Sequence, residues 1–202
     1  MQTLVFRSSK LSFFLLALLS MPLIIETPFI LQLWLVEVPE YAVIFTRLIL
    51  IVALIDSLSY PLMTAAQATG NIKKYQAIVG SVLMLNVPIS YVFLKFGFSP
   101  EITLYIAIFV SVTCLMLRLM LLQNMVNLSI RFFLQKVCLN SFAVIFLGLL
   151  VPLSVSYSIE DKSFLDVIIV VMVCVLSLGI SIYFAGLSVN EKKYMLKIVR
   201  RK

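Results

Sequence analysis

Six polar side chains set inside apolar runs are the candidates for chemistry in this chain: Glu26, Arg47, Asp56, Gln67, Asn86 and Arg118. A charge near the centre of a bilayer costs at least about 2.5 kcal/mol on insertion scales, so each ionisable group needs an opposite charge, a hydrated cavity or a function. At about 1.5 Å per residue across about 30 Å of hydrocarbon, Glu26 and Arg47 both fall roughly 20 Å from the edge that the basic loops mark as cytoplasmic. Asp56 and Arg118 both fall roughly 5 Å from that edge by the same count. Two ion pairs are therefore expected, Glu26 with Arg47 and Asp56 with Arg118. They either close a helix bundle or face a hydrated path for an anionic substrate or a coupling ion. Gln67 and Asn86 are weaker candidates, expected to hydrogen-bond between helices at roughly 0.6 kcal/mol each. Ser57 and Ser59 are expected to bond their own helix backbone ahead of Pro61.

The runs that hold these residues are membrane spans by length and composition. Of 202 residues, 62% are hydrophobic and 12% charged, and the mean hydropathy is +1.13. Soluble domains carry about 25% charged residues. A span needs about 20 apolar residues, and the stretch 41–69 exceeds that. The chain reads as an all-α, polytopic membrane bundle of six spans, at about 11–35, 41–69, 77–96, 102–124, 137–155 and 165–187. Residues 1–10 precede it and a basic tail, 188–202, follows.

Within the first span, Pro22, Glu26 and Pro28 predict a bent helix, or a helix followed by a short interfacial one. Gly70 is placed to cap the second span before the Lys73-Lys74 turn. The link MVNLSIRFFLQK is amphipathic and is expected at the interface. Ala66-x-x-x-Gly70 is the nearest close-packing signal, GxxxG being absent.

Lysine and arginine set the orientation. Arg7, Lys10, Lys73, Lys74, Arg131, Lys136 and the tail from Lys192 to Lys202 lie at one set of span ends. The other set holds Glu37, Glu40, Glu101, Glu160 and Asp161 with Lys162. The positive-inside rule then puts both termini in the cytoplasm. The net charge of +7 is read as topology anchor and contact with anionic lipid rather than nucleic-acid binding, since no basic stripe with interleaved aromatics lies outside the spans.

The chain has no histidine, and its cysteines, Cys114, Cys138 and Cys174, show no CxxC spacing. Mixed zinc sites and histidine acid–base catalysis are excluded, and the thiols read as buried and free. No cofactor motif is read.

The run from Glu26 to Gln76 carries Trp34-Leu35 followed by Pro39, the Arg47 to Asp56 stretch, and Ala68-Thr69-Gly70-Asn71-Ile72-Lys73-Lys74-Tyr75. It resembles the later part of bacterial oligosaccharide flippases, the Wzx-type polysaccharide transporters of the superfamily that also holds MATE drug exporters and the lipid II flippase. The resemblance extends over about 4–134. It implies a protein of the bacterial inner membrane, built of two six-helix lobes around a cavity. Such a protein moves an undecaprenyl-pyrophosphate-linked sugar unit by alternating access, with H+ or Na+ as coupling ion.

By that resemblance the six spans match the C-terminal lobe, the first being a ninth helix and the last two the helices added after it. The chain would then be a C-terminal piece of a longer flippase, or would pair with another chain that supplies the first lobe. Two other classes stay open. One is a membrane enzyme of polysaccharide assembly, which would want a longer periplasmic loop than SYSIEDKSF. The other is a non-catalytic partner or an inactive remnant.

Overall fold

The computed structural model describes residues 2–70, 72–159, 163–188 and 191–192. Asn71, the charged residues Glu160, Asp161 and Lys162, and the tail 193–202 lie outside the described residues.

The described chain is helical, with no strand among the described residues. Its helices are α1 (Gln2–Ile25), α2 (Thr27–Trp34), α3 (Ala42–Ala68), α4 (Ile72–Met84), α5 (Asn86–Lys95), α6 (Ile102–Val126), α7 (Ile130–Phe133), α8 (Asn140–Ser158) and α9 (Phe164–Ser181). Two π-helical segments, Leu134–Leu139 and Ile182–Gly186, run into α8 and out of α9. Taken through their junctions, six helical stretches are long and apolar enough to cross a membrane: Gln2–Ile25, Ala42–Ala68, Ile72–Lys95, Ile102–Val126, Ile130–Ser158 and Phe164–Gly186.

The expected spans and these helices differ at their ends for one reason. Hydropathy marks where a span is apolar, whereas a helix continues until a breaker stops it. Residues 1–10 are thus no separate segment: from Gln2 onward the polar stretch is the first part of α1, with no Gly or Pro before Pro22. Likewise the expected interfacial link becomes α7 and the first π segment, continuous with α8. It starts after Asn127, whose left-handed backbone (φ 51°) ends α6. Leu128 and Phe133 from this link are in the core, and Arg131 and Lys136 are exposed.

The first span breaks at Glu26, giving the helix followed by a short helix that Pro28 predicts. The third breaks at Leu85, ahead of Asn86 and Pro88. Gly70 takes the left-handed conformation (φ 76°) expected of a residue just past a helix end.

α1 is the central helix. It packs antiparallel to α3 on one side and against α8 and α9 on the other, while α3 continues the layer to α6 and α6 carries α4 and α5. The core between them is apolar and tight: Phe14, Leu62, Ala66, Leu119, Leu122, Phe133, Cys174 and Leu178 are buried. All three cysteines are free, as expected, with Cys114 and Cys174 buried and Cys138 half-buried.

The close-packing signal needs correction. Ala66 is fully buried, but Gly70 has open space where a Cβ would stand. The tighter glycines lie elsewhere, at Gly186 against Phe14 and above all at Gly148 in the α8–α9 hairpin, where a Cβ would lie 2.5 Å from Leu178 Cδ2 and 3.2 Å from Leu178 Cα.

Two of the hydrogen bonds between helices fall where proline has freed a carbonyl. Proline has no N–H, so the carbonyl four residues before it loses its helical partner. Pro28 frees Ile24 O, and Arg47 Nε donates to that oxygen at 2.9 Å. Pro152 frees Gly148 O, and Ser177 Oγ on α9 donates to it at 2.9 Å. In a membrane, a neighbouring side chain is the means of satisfying such a group.

Candidate functional site

The break between α1 and α2 builds the site. Glu26 occupies the N-cap of α2, in neither helix (φ −96°, ψ 19°). A carboxylate there meets the positive end of the α2 dipole. Thr27 Oγ1 donates back to Leu23 O at 2.5 Å and Ile24 O at 3.1 Å, using carbonyls that the interrupted helix leaves available. Glu26 is 1% exposed, and Ser156 Oγ on α8 donates to its Oε1 at 2.9 Å.

Glu26 opens onto a groove of about 720 Å³ between the α1–α2 junction, α3 and the end of α8. Arg47, Gln32, Ser156 and Tyr157 supply its other polar walls, and Met21, Phe29, Leu149 and Leu153 are among its apolar ones.

The structure brings Glu26 and Arg47 to one groove but not into the expected ion pair. Arg47 spends its guanidinium on backbone, donating to Ile24 O at 2.9 Å and to Ile25 O at 3.4 Å. The depth count brought the two residues to a common level, and two backbone carbonyls, Ile24 O freed by Pro28 and the adjacent Ile25 O, took the donor in place of the carboxylate.

The second expected pair is absent. Among the described residues, ion pairs within 4.0 Å join Arg7 and Lys10 to Glu191, and none joins Asp56 to Arg118. Equal depth does not fix which way a side chain points around its helix. Arg118 lies close enough to Tyr75 and Cys114 for its charge to act on both, and Asp56 acts on Cys114. Arg118 Nε and the Tyr75 hydroxyl are buried without hydrogen-bond partners.

The two amides also differ from expectation. Asn86 accepts from Ser90 Oγ at 3.5 Å within its own helix, and Gln67 is exposed. Ser57 bonds Leu54 O at 2.6 Å as expected, while the Ser59 hydroxyl is buried without a partner.

Sequence reasoning missed Ser156, Gln32 and Tyr157. Ser156 carries no local signal, because only the docking of α8 on the α1–α2 junction brings it to Glu26. Thr27-Pro28 beside Glu26 was the available clue to a helix break with polar neighbours.

No known protein family, curated protein or solved structure matches the chain. It is therefore assigned to no family by comparison.

A second polar cluster lies where α1 begins. Lys10 Nζ donates to Glu191 Oε2 at 3.1 Å, and Arg7 Nε stands 3.9 Å from Oε1. Ser188 and Glu191 cap each other, Ser188 N–H donating to Oε2 at 2.7 Å and Glu191 N–H to Ser188 Oγ at 3.4 Å. Burial pushes the Glu191 carboxyl up, but hydrogen bonds from Ser188 and Lys10 and the Lys10 charge outweigh it and hold the carboxyl below its ordinary 4.5.

A lowered folded pKa contributes stability above the unfolded value and loses it as pH falls through the folded one. Melting temperatures of wild type and Glu191→Gln in detergent are therefore expected to differ at pH 7 and to converge below pH 4.5. A gap that widens on acidification would contradict this.

Proposed function

We propose that the chain transports a lipid-linked oligosaccharide, an undecaprenyl-pyrophosphate-linked repeat unit, across the bacterial inner membrane by alternating access. Both termini are cytoplasmic in this reading, a second helical lobe supplied by another copy of the chain completes the cavity, and H+ or Na+ drives the cycle. The observation that carries it is Glu26, a carboxylate 1% exposed between the end of a membrane-length helix and the short helix that follows, lining a groove shared with Arg47. Helix ends that meet at an interruption supply ion and substrate sites in transporters, and buried ionisable groups among apolar helices mark transport paths. The resemblance of the Trp34 to Tyr75 stretch to Wzx-type flippases names the substrate class.

The test is a flipping assay in proteoliposomes carrying a fluorescent lipid-linked oligosaccharide, read by quenching from outside. Wild type is expected to flip it above protein-free vesicles, and Glu26→Gln to slow it by about tenfold or more, the equivalent of one lost charged hydrogen bond. Wild-type flipping no faster than empty vesicles, with the protein shown to be folded, would sink the proposal. So would an undiminished rate in Glu26→Gln.

A further inference from the structure

A cleft of about 520 Å³ lies at the end of the bundle where α1 begins, and it is separate from the Glu26 groove. One wall is the first turns of α1, with Arg7 and Lys10. The other is made by both π-helical segments, Lys136 from the first and Gly186 from the second. Asn140 ties the two segments together, its Nδ2 donating to Ala185 O at 3.0 Å. A Cβ on Gly186 would stand 2.9 Å from the Phe14 ring, so the second segment is seated directly on α1. π turns of this kind concentrate at functional sites.

Three cations, Arg7, Lys10 and Lys136, line this cleft against one carboxylate, Glu191. Glu191 engages Lys10 and Arg7, while Lys136 has no ion pair among the described residues and rests over the Phe132 ring at 5.5 Å. The cleft also holds an acceptor in want of a donor, since Asn140 Oδ1 is buried without a hydrogen-bond partner. A ligand that fits carries a monoanionic phosphodiester for the cations and a hydroxyl for Asn140.

The neighbouring hollow says which source supplies that phosphate. It measures about 310 Å³, shares Arg7, Lys10, Leu187 and Glu191 with the cleft, and adds Leu4 and Leu11, both apolar and exposed. A polar cleft that continues into an apolar trough suits a headgroup with acyl chains attached, and basic pockets between spans on the cytoplasmic side bind anionic headgroups.

We infer that this cleft is a binding site for phosphatidylglycerol, with its phosphate at Arg7 and Lys136 and its glycerol hydroxyl on Asn140 Oδ1. The inference stands on different residues from the transport reading and shares with it only the cytoplasmic placement of the basic end of the bundle.

The test is native mass spectrometry of the full chain released from detergent, after mixing with phosphatidylglycerol, phosphatidylcholine of the same acyl chains, or sn-glycerol 3-phosphate. Phosphatidylglycerol is expected to stay bound. Arg7→Gln with Lys136→Gln is expected to weaken its retention about twenty-five-fold, at about fivefold per charge removed. Lys136→Gln alone, which disturbs no ion pair, is expected to lose about fivefold and serves if the double variant does not fold. Lys73→Gln with Lys74→Gln, two exposed cations elsewhere, is expected to leave retention unchanged. Equal retention of phosphatidylcholine, competition by sn-glycerol 3-phosphate as strong as by the lipid, or an equal loss in the Lys73/Lys74 variant would overturn the site.

Discussion

Arg47→Met is expected to destabilise the folded chain by about 2 kcal/mol, and Pro28→Ala is expected to return about half of that loss. Arg47 donates to Ile24 O and Ile25 O, and hydrogen bonds from charged donors contribute about 1.5–3 kcal/mol, here toward the lower part of that range because Thr27 Oγ1 also donates to Ile24 O. Alanine at position 28 restores an N–H, which can close the ordinary i to i−4 bond onto Ile24 O. In the wild-type background the same substitution competes with Arg47 and gains little. The two changes are therefore expected to couple by about 1 kcal/mol, somewhat above the average of about 0.6 kcal/mol for hydrogen bonds between membrane helices. Reversible unfolding in mixed micelles, followed by far-ultraviolet circular dichroism, measures all four proteins. Strict additivity would mean that Arg47 does not serve the proline-freed carbonyl.

Gly148→Leu is expected to have the larger structural effect, about 2–3 kcal/mol, at the upper end of overpacking costs. A Cβ at this position already meets Leu178 Cδ2 at 2.5 Å and its Cα at 3.2 Å. Leu178 is 0% exposed, so its side chain has little room to turn away. Separating the helices also stretches the Ser177 to Gly148 O bond, which is 2.9 Å in the native hairpin. Gly148→Ala should cost less, and Leu178→Ala should recover much of the loss in the Gly148→Ala background by vacating the space. The same unfolding titration reads these variants. Wild-type stability in Gly148→Leu would show that the hairpin is not close-packed there.

What sequence could and could not reveal follows from these two places. Six apolar runs and a break near Pro28 were legible because hydropathy and proline chemistry are local. The level of Glu26 and Arg47 was legible too, since helical rise converts residue count into depth. The partner of each group was not. Arg47 chose carbonyls over a carboxylate because Pro28 left one of them unsatisfied within reach, and Ser156 reached Glu26 because α8 docks on the α1–α2 junction. Asp56 and Arg118 share a depth but make no ion pair within 4.0 Å, and how closely two side chains approach depends on how α3 and α6 are rotated against one another. Gly148 was passed over because its counterpart is the Leu178 backbone of another helix rather than a small residue four places away.

The first π-helical segment, Leu134–Leu139, has a consequence that is best put as helical phase. An α-helix advances about 100° and 1.5 Å for each residue, and a π turn absorbs one residue more than an α turn. If the same residues were wound as a regular α-helix with none removed, that turn would hold one residue fewer and the residue displaced from it would pass into the helix beyond. Everything beyond it would then turn by about 100° and advance by about 1.5 Å. Ser156, more than a dozen residues further along, would leave Glu26. The extra residue at one end of the helix thus sets the azimuth of the hydroxyl at the other, and the two ends of α8 keep a common register.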